Sequence, residues 1–235
     1  MPDSPPTVPR HALTALAYER LRDLIVTGRL APGAAIIETE IAARLGVQRS
    51  HLRQALQRLQ HAGFVVTSTI GTYSRTRVAP LTAEDVRDLF DLVGAVEGLA
   101  VRAAALLLPA DRAELAQQLE ATNADLLRAA RQQPADYNHV NDLDVAFHGH
   151  CVERAAPPRV RVLYDAVKPQ ADRYERLYTH ALLDDIAVSV AEHDAIIAGI
   201  RAGDPDAAQR AAEMNWRNAG ERFGRVIAMA GERGR

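Results

Sequence analysis

The stretch Glu38-Thr39-Glu40-Ile41-Ala42-Ala43-Arg44-Leu45-Gly46-Val47-Gln48-Arg49-Ser50-His51-Leu52-Arg53-Gln54-Ala55-Leu56-Gln57-Arg58-Leu59-Gln60-His61-Ala62-Gly63 reads as two short helices joined at a glycine. The first runs from Glu38 to Leu45 and stops at Gly46; the second runs from Arg49 to Ala62 and stops at Gly63. Ala42 is the small residue needed where the helices touch. Val47, Leu52 and Ala55 lock the second helix onto the first, and Ile41 and Leu45 face the core. These are the offsets of a helix-turn-helix. Arg49 and Arg53 lie four residues apart and share one face of the second helix. Ser50 sits beside them, near the helix start, where such a unit meets DNA. An arginine there can grip guanine O6 and N7 with two bonds, and a serine suits a phosphate oxygen.

Working outward, Ala12 to Thr27 has the spacing of an amphipathic helix, with Leu13, Leu16, Leu21, Leu24 and Ile25 on one side and Gly28 at its end. Leu30-Ala31-Pro32-Gly33 is a turn. After Gly63, Phe64 to Thr69 and Tyr73 to Val78 are β-branched-rich runs around Ile70-Gly71-Thr72, which predicts a hairpin wing. Residues 12–78 therefore form a winged helix-turn-helix of three helices plus a small β hairpin. Residues 1–11 form an N-terminal arm, broken by Pro2, Pro5, Pro6 and Pro9 and lacking the apolar run of a secretory signal. Charge follows the same division. Residues 1–78 hold ten arginines and no lysine against five acidic residues, a balance of +5, whereas the other 18 basic and 25 acidic residues leave −7. A phosphate backbone attracts the first part and repels the second.

Strand signals vanish after a linker over 79–81. In residues 82–230, Thr82 with Asp85 resembles a capping box opening a helix that runs to about Leu108. Pro109, Pro134, Pro157-Pro158 and Gly203-Asp204-Pro205 then divide the chain into about six helices, an all-α bundle. The fold class is mainly α. No stretch approaches the ~18 apolar residues of a membrane span. The single Cys151 suits a reducing compartment, so the expected location is the cytoplasm.

The bundle also holds a chemical constellation. Asp144 and His148, at i and i+4, share a helix face at a spacing that can chelate one ion. His193 lies in a later helix, Val188 to Ala202. Gly203-Asp204-Pro205 makes a sharp reversal, with Gly at the helix end, Asp as N-cap and Pro at the first helical position. His193, ten residues before Gly203, and Asn215, eleven after Asp204, come level across that hairpin. Polar groups of the bundle available to a ligand are Arg102, Lys168, Arg173, Tyr137 and Asn141, the last one turn before Asp144. His61, His139, His150, His180 and Trp216 are assigned structural roles. Two other readings stay open: a metal-dependent all-α enzyme carrying an appended winged helix, and a winged helix that binds protein.

Tyr18 to Val78 resembles the DNA-binding domain of the GntR family of bacterial transcription regulators. The resemblance rests on Ile25 to Gly33, Glu40-Ile41-Ala42, Leu45 to Leu56, and Leu59 through Gly63. The family's usual turn reads G-V-S-R-T-P-V-R-E-A-L; here Gln48 stands for Ser and His51 for Pro. Ile70 replaces the Arg that usually precedes the wing glycine. The resemblance implies DNA contacts from Arg49, Ser50, Arg53, Thr39 and Gly71, and a homodimer on a pseudo-palindromic double-stranded operator. Residues 82 to 228 resemble the FCD sensor domain of the FadR-type subfamily, on the strength of Asp144-Val145-Ala146-Phe147-His148, Glu192-His193 and the Gly203-Asp204 turn. Many members hold a divalent metal with one Asp and three His. This implies Asp144, His148, His193 and Asn215 as ligands, Asn215 replacing a His, with zinc or nickel as the expected ion. Val93 replaces an Arg that often helps bind ligand. The resemblance thus implies a regulator, and a repressor in particular, released by a small organic acid bound beside the metal.

Overall fold

A computed structural model describes residues 10–70 and 73–234. The chain divides into two compact units, with the boundary between Leu81 and Thr82; Arg233 and Gly234 group with the first unit.

In the first unit, α1 (Arg10–Val26), α2 (Glu38–Leu45) and α3 (Arg49–His61) pack with a hairpin of β1 (Val65–Ile70) and β2 (Tyr73–Val78). The strands are antiparallel, with Val65 opposite Val78 and Thr67 opposite Thr76. Leu21, Ile25, Ile41, Leu52, Leu59 and Phe64 fill the core. α2 stops where expected because Gly46 adopts φ 67°, a left-handed conformation that costs other residues more. Its N–H then closes the last turn on Ala42 and Ala43 carbonyls. α3 starts from Gln48 in extended conformation, without a side-chain cap. A serine there could accept from the first-turn N–H groups, a contribution of about 1 kcal/mol. Residues 79–81 are no free linker: Ala79 N–H donates to Phe64 O, and Leu81, 1% exposed, pairs with Arg233.

The second unit is a bundle of six helices among the described residues: α4 (Ala83–Ala105), α5 (Pro109–Ala130), α6 (Tyr137–Ala155), α7 (Pro158–Tyr178), α8 (Ile186–Ala202) and α9 (Pro205–Ala230). Thr82 caps α4 by accepting from Asp85 N–H at 3.1 Å. This helix ends at Ala105, three residues before the expected Leu108. Pro109 forces the preceding residue out of the helical region, and Leu108 is extended at ψ 150°. At the other hairpin Gly203 is left-handed, φ 69°, and the Asp204 carboxylate accepts from the Asp206 and Ala207 N–H groups. α4 and α9 approach closely at Gly94, where a Cβ would lie 2.8 Å from the Trp216 Cβ. That approach keeps Trp216 in the bundle interior, 2% exposed.

Candidate functional sites

In the first unit the start of α3 is exposed. Arg49 and Arg53 side chains are 58% and 61% accessible, and Ser50 and Thr39 are exposed beside them. Arg49, Arg53, Thr39, Arg75 and Arg77 line one groove between α3 and β2. Sequence reasoning gave no DNA-facing role to three charged members of that groove, Arg75, Arg77 and Glu38; Glu38 stands apart because it is acidic. Its Oε2 accepts from Arg53 Nε at 2.8 Å and lies 3.8 Å from Arg49 Nη2. The carboxylate thus holds both arginines side by side. Gly71, expected at the wing tip, lies outside the described residues.

In the second unit one cavity, with about 50 Å³ of room for solvent, is lined by Asp144, His148, His193 and Asn215 together with Asn141, Trp216 and Arg222. Asp144 and His148 come from α6, His193 from α8 and Asn215 from α9. Asp144, His148 and His193 each offer a ligand atom within 4.8 Å of the others. Both rings are held from behind. His148 Nδ1 bonds Glu97 Oε1 at 2.6 Å, and His193 Nδ1 bonds Asn123 Oδ1 at 2.9 Å. Each acceptor fixes the proton on Nδ1, which leaves Nε2 with a free lone pair. Among the described residues His193 Nε2 is buried without a hydrogen-bond partner.

Electrostatics agree with that arrangement at His193. Burial, then the neighbouring His148 and Arg222, hold His193 well below the usual histidine range, so it is a neutral imidazole. The 3.8 Å approach of His193 Nε2 to Asp144 Oδ1 is therefore not an ion pair. Burial opposes charge on His148, but the Glu97 carboxylate outweighs it and raises the pKa. Two neutralisable imidazoles, one carboxylate and an unpartnered buried lone pair fit a divalent cation.

Asn215 is tied differently. Its Nδ2 donates to Glu192 Oε2 at 3.0 Å, so its carbonyl oxygen is the atom left for an ion. Glu192 also accepts from Asn218 and, in a two-pronged contact at 2.9 Å on each prong, from Arg222. Asn123 and Arg222 escaped the sequence reading, and Glu192 entered it only beside His193, without a role of its own. Glu97, four residues after Val93, was given no role either.

The remaining candidates lie elsewhere. Arg102 is turned outward to pair with Asp206, and Tyr137 is half exposed against His180. Arg173 is buried beside Tyr174 and Asp85, and burial lowers its pKa. None of these three lines the cavity, whereas Asn141 does. Lys168 is buried behind the wall, where it bonds Asp172 and Glu175 and lies 5.3 Å over the Trp216 ring. Burial, opposed by Lys168, pushes the Glu175 carboxyl up to about 7.

Comparison with known proteins decides the family. Residues 88–218 match the FCD domain, and residues 13–72 match the bacterial regulatory proteins of the gntR family. The chain belongs to the GntR family. It is 32% identical, over 92% of its length and 86% of the relative's, to an uncharacterized HTH-type transcriptional regulator in an unstable DNA locus of Streptomyces ambofaciens. A probable D-xylose utilization operon transcriptional repressor of Paenarthrobacter nicotinovorans is 27% identical over 82% of each chain. Two solved structures share the fold. E. coli McbR/YncC superposes with TM-score 0.67 at 18% identity, covering 94% of this chain and 100% of that one. A putative GntR regulator from Rhodococcus sp. RHA1 gives TM-score 0.65 at 24% identity, covering 90% and 97%. This GntR protein is thus a transcriptional regulator with a winged helix-turn-helix and a helical FCD domain. Its family and relatives are regulators rather than enzymes, which disposes of the metalloenzyme reading. Among the described residues no helix is long and apolar enough to cross a membrane.

Proposed function

We propose that this GntR protein is a cytoplasmic repressor. In this reading it binds a pseudo-palindromic operator as a homodimer and is released by a small carboxylic acid taken up beside a divalent metal. The observation that carries the reading is the convergence of Asp144, His148 and His193, with a buried His193 Nε2 that lacks a partner among the described residues. Zinc or nickel suits two imidazoles and a carboxylate better than magnesium or calcium does. Asp144, His148, His193 and the Asn215 carbonyl would hold the ion, and Glu97 and Asn123 would fix the imidazole rings. When bound, the metal would supply open coordination positions to an effector carboxylate. Two copies of the head are needed because one winged helix grips only a few base pairs. Arg49, Arg53 and Thr39 would read DNA from the exposed groove, with Ser50 exposed beside them.

The test is metal analysis and calorimetry on the purified chain after chelation and re-addition, with operator binding measured in parallel on a site selected from random duplexes. His148→Ala should lose the metal and the response to acids while keeping operator binding. Selected sites should be inverted repeats bound by two chains. Wild type that takes up neither zinc nor nickel would sink the metal-dependent sensor, and a monomer on DNA would sink the operator reading.

A further inference from the structure

Unpartnered buried polar atoms gather around one cavity of the FCD domain. Among the described residues Asn141 Nδ2, Trp216 Nε1 and His193 Nε2 are buried without hydrogen-bond partners, and all three residues line it. Native interiors leave few such atoms, because each forfeits its bonds to water. A cation answers the His193 lone pair. It cannot answer Asn141 and Trp216, whose orphaned atoms are N–H donors that call for an oxygen acceptor. Arg222, on the same wall, adds donors: Glu192 and Ser189 take three of its five N–H groups. Val93, where the family often has an arginine, is buried and apolar and offers none. Phe90, Ile186 and Phe223 supply the apolar lining.

We propose that Asn141, Trp216 and Arg222 form a cradle for a second oxygen function of the effector, remote from its metal-bound carboxylate. The ligand is then a short acid that also carries a hydroxyl or a second carboxylate. Its shortness follows from the room available, about 50 Å³, which suits a few waters rather than a long chain. The inference rests on the reading that this cavity takes an acid beside a cation, and it adds which residues select that acid.

The test is calorimetry on the zinc-loaded full chain with four acids of equal carbon number: butyrate, 3-hydroxybutyrate, succinate and malate. At least one acid with a second oxygen function should bind about ten-fold tighter than butyrate, the fold expected of one satisfied buried donor. In Asn141→Leu that gap should close to within about two-fold. Trp216→Phe, which keeps an aromatic ring in place, should narrow it as well. Thermal melting of the ligand-free chain separates recognition from scaffolding. Asn141→Leu replaces an unpaired donor with an apolar group of similar size, so its midpoint should equal or exceed that of wild type. A structural role for Asn141 would lower the midpoint instead. The cradle is overturned if butyrate binds as tightly as the other three, if none binds at millimolar concentration, or if both variants keep the gap. Zinc uptake with equal binding of all four acids would remove the cradle and leave the sensor reading standing. No zinc uptake would remove both.

Discussion

The Arg53–Glu38 pair of the winged helix and the Arg222–Glu192 pair of the FCD domain are close in length, 2.8 and 2.9 Å, yet their surroundings are opposite. The first pair is 61% and 31% accessible and borders an open groove. The second is 8% and 17% accessible, and the carboxylate is further held by Asn215 and Asn218. An exposed pair is screened and contributes little to stability, so its arginine remains available to a partner outside the molecule. A buried pair has already lost its water, and removing one member strands the other charge. The same two side chains therefore make a reading head in one unit and a structural clasp in the other.

The largest effect should come from breaking the clasp. Arg222→Met leaves Glu192 with two amide donors and no cation, and should destabilise the protein by about 3 to 5 kcal/mol in urea denaturation. Adding Glu192→Leu should recover most of that loss. If the single variant is as stable as wild type, the contrast between the two pairs is wrong.

Next in size is the opposite behaviour at the head. Arg53→Ala or Arg49→Ala should leave the denaturation midpoint within about 0.5 kcal/mol of wild type, as for most exposed substitutions. Each should cost about 1 to 3 kcal/mol in binding a selected operator, measured by fluorescence anisotropy. Wild-type affinity in both variants would mean that the start of α3 does not read bases.

Smaller still is the effect of restoring a histidine at the clasp's edge. Asn215→His exchanges an amide oxygen for an imidazole and should tighten zinc or nickel binding on the order of ten-fold, roughly 1.4 kcal/mol. Magnesium, which prefers oxygen, should gain little. Equal affinities for zinc before and after the exchange would place Asn215 outside the coordination shell.

These contrasts also show which parts of the molecule were legible in the chain. The α2 stop at Gly46 and the α8–α9 reversal at Gly203-Asp204-Pro205 are encoded by adjacent residues, so local chemistry specifies them. The Asp144–His148 spacing is likewise local, and a helix converts it directly into a shared face. The groups behind the two imidazoles were not legible. Glu97 lies 51 residues from His148, and Asn123 lies 70 from His193. Packing of α4 and α5 against α6 and α8 brings them in, and one sequence contains no period that announces it. The same lack explains why Arg102, Tyr137 and Arg173, expected to face a ligand, do not line the cavity. Each sits on a helix whose inward face depends on neighbours far along the chain.

The smallest effect is expected at Glu38, and it sharpens the comparison most. Its carboxylate offsets about one arginine charge in a groove that otherwise holds Arg49, Arg53, Arg75 and Arg77. It also binds Arg53 through Nε, which fixes the guanidinium plane and leaves the two terminal nitrogens to meet guanine O6 and N7. Glu38→Gln removes the charge but keeps the shape and an oxygen acceptor. Stability should change by only about 0.2 to 1 kcal/mol, because the pair is exposed. On random-sequence duplex the variant should bind more tightly, with a salt slope steeper by up to about one unit, as one more phosphate contact becomes available. On a selected operator the gain should be smaller, because Arg53 is less firmly aimed. The ratio of specific to non-specific affinity should therefore fall. An unchanged salt slope with an unchanged ratio would mean that Glu38 neither screens nor orients the arginines when DNA is bound. The 2.8 Å contact would then belong to the free protein alone.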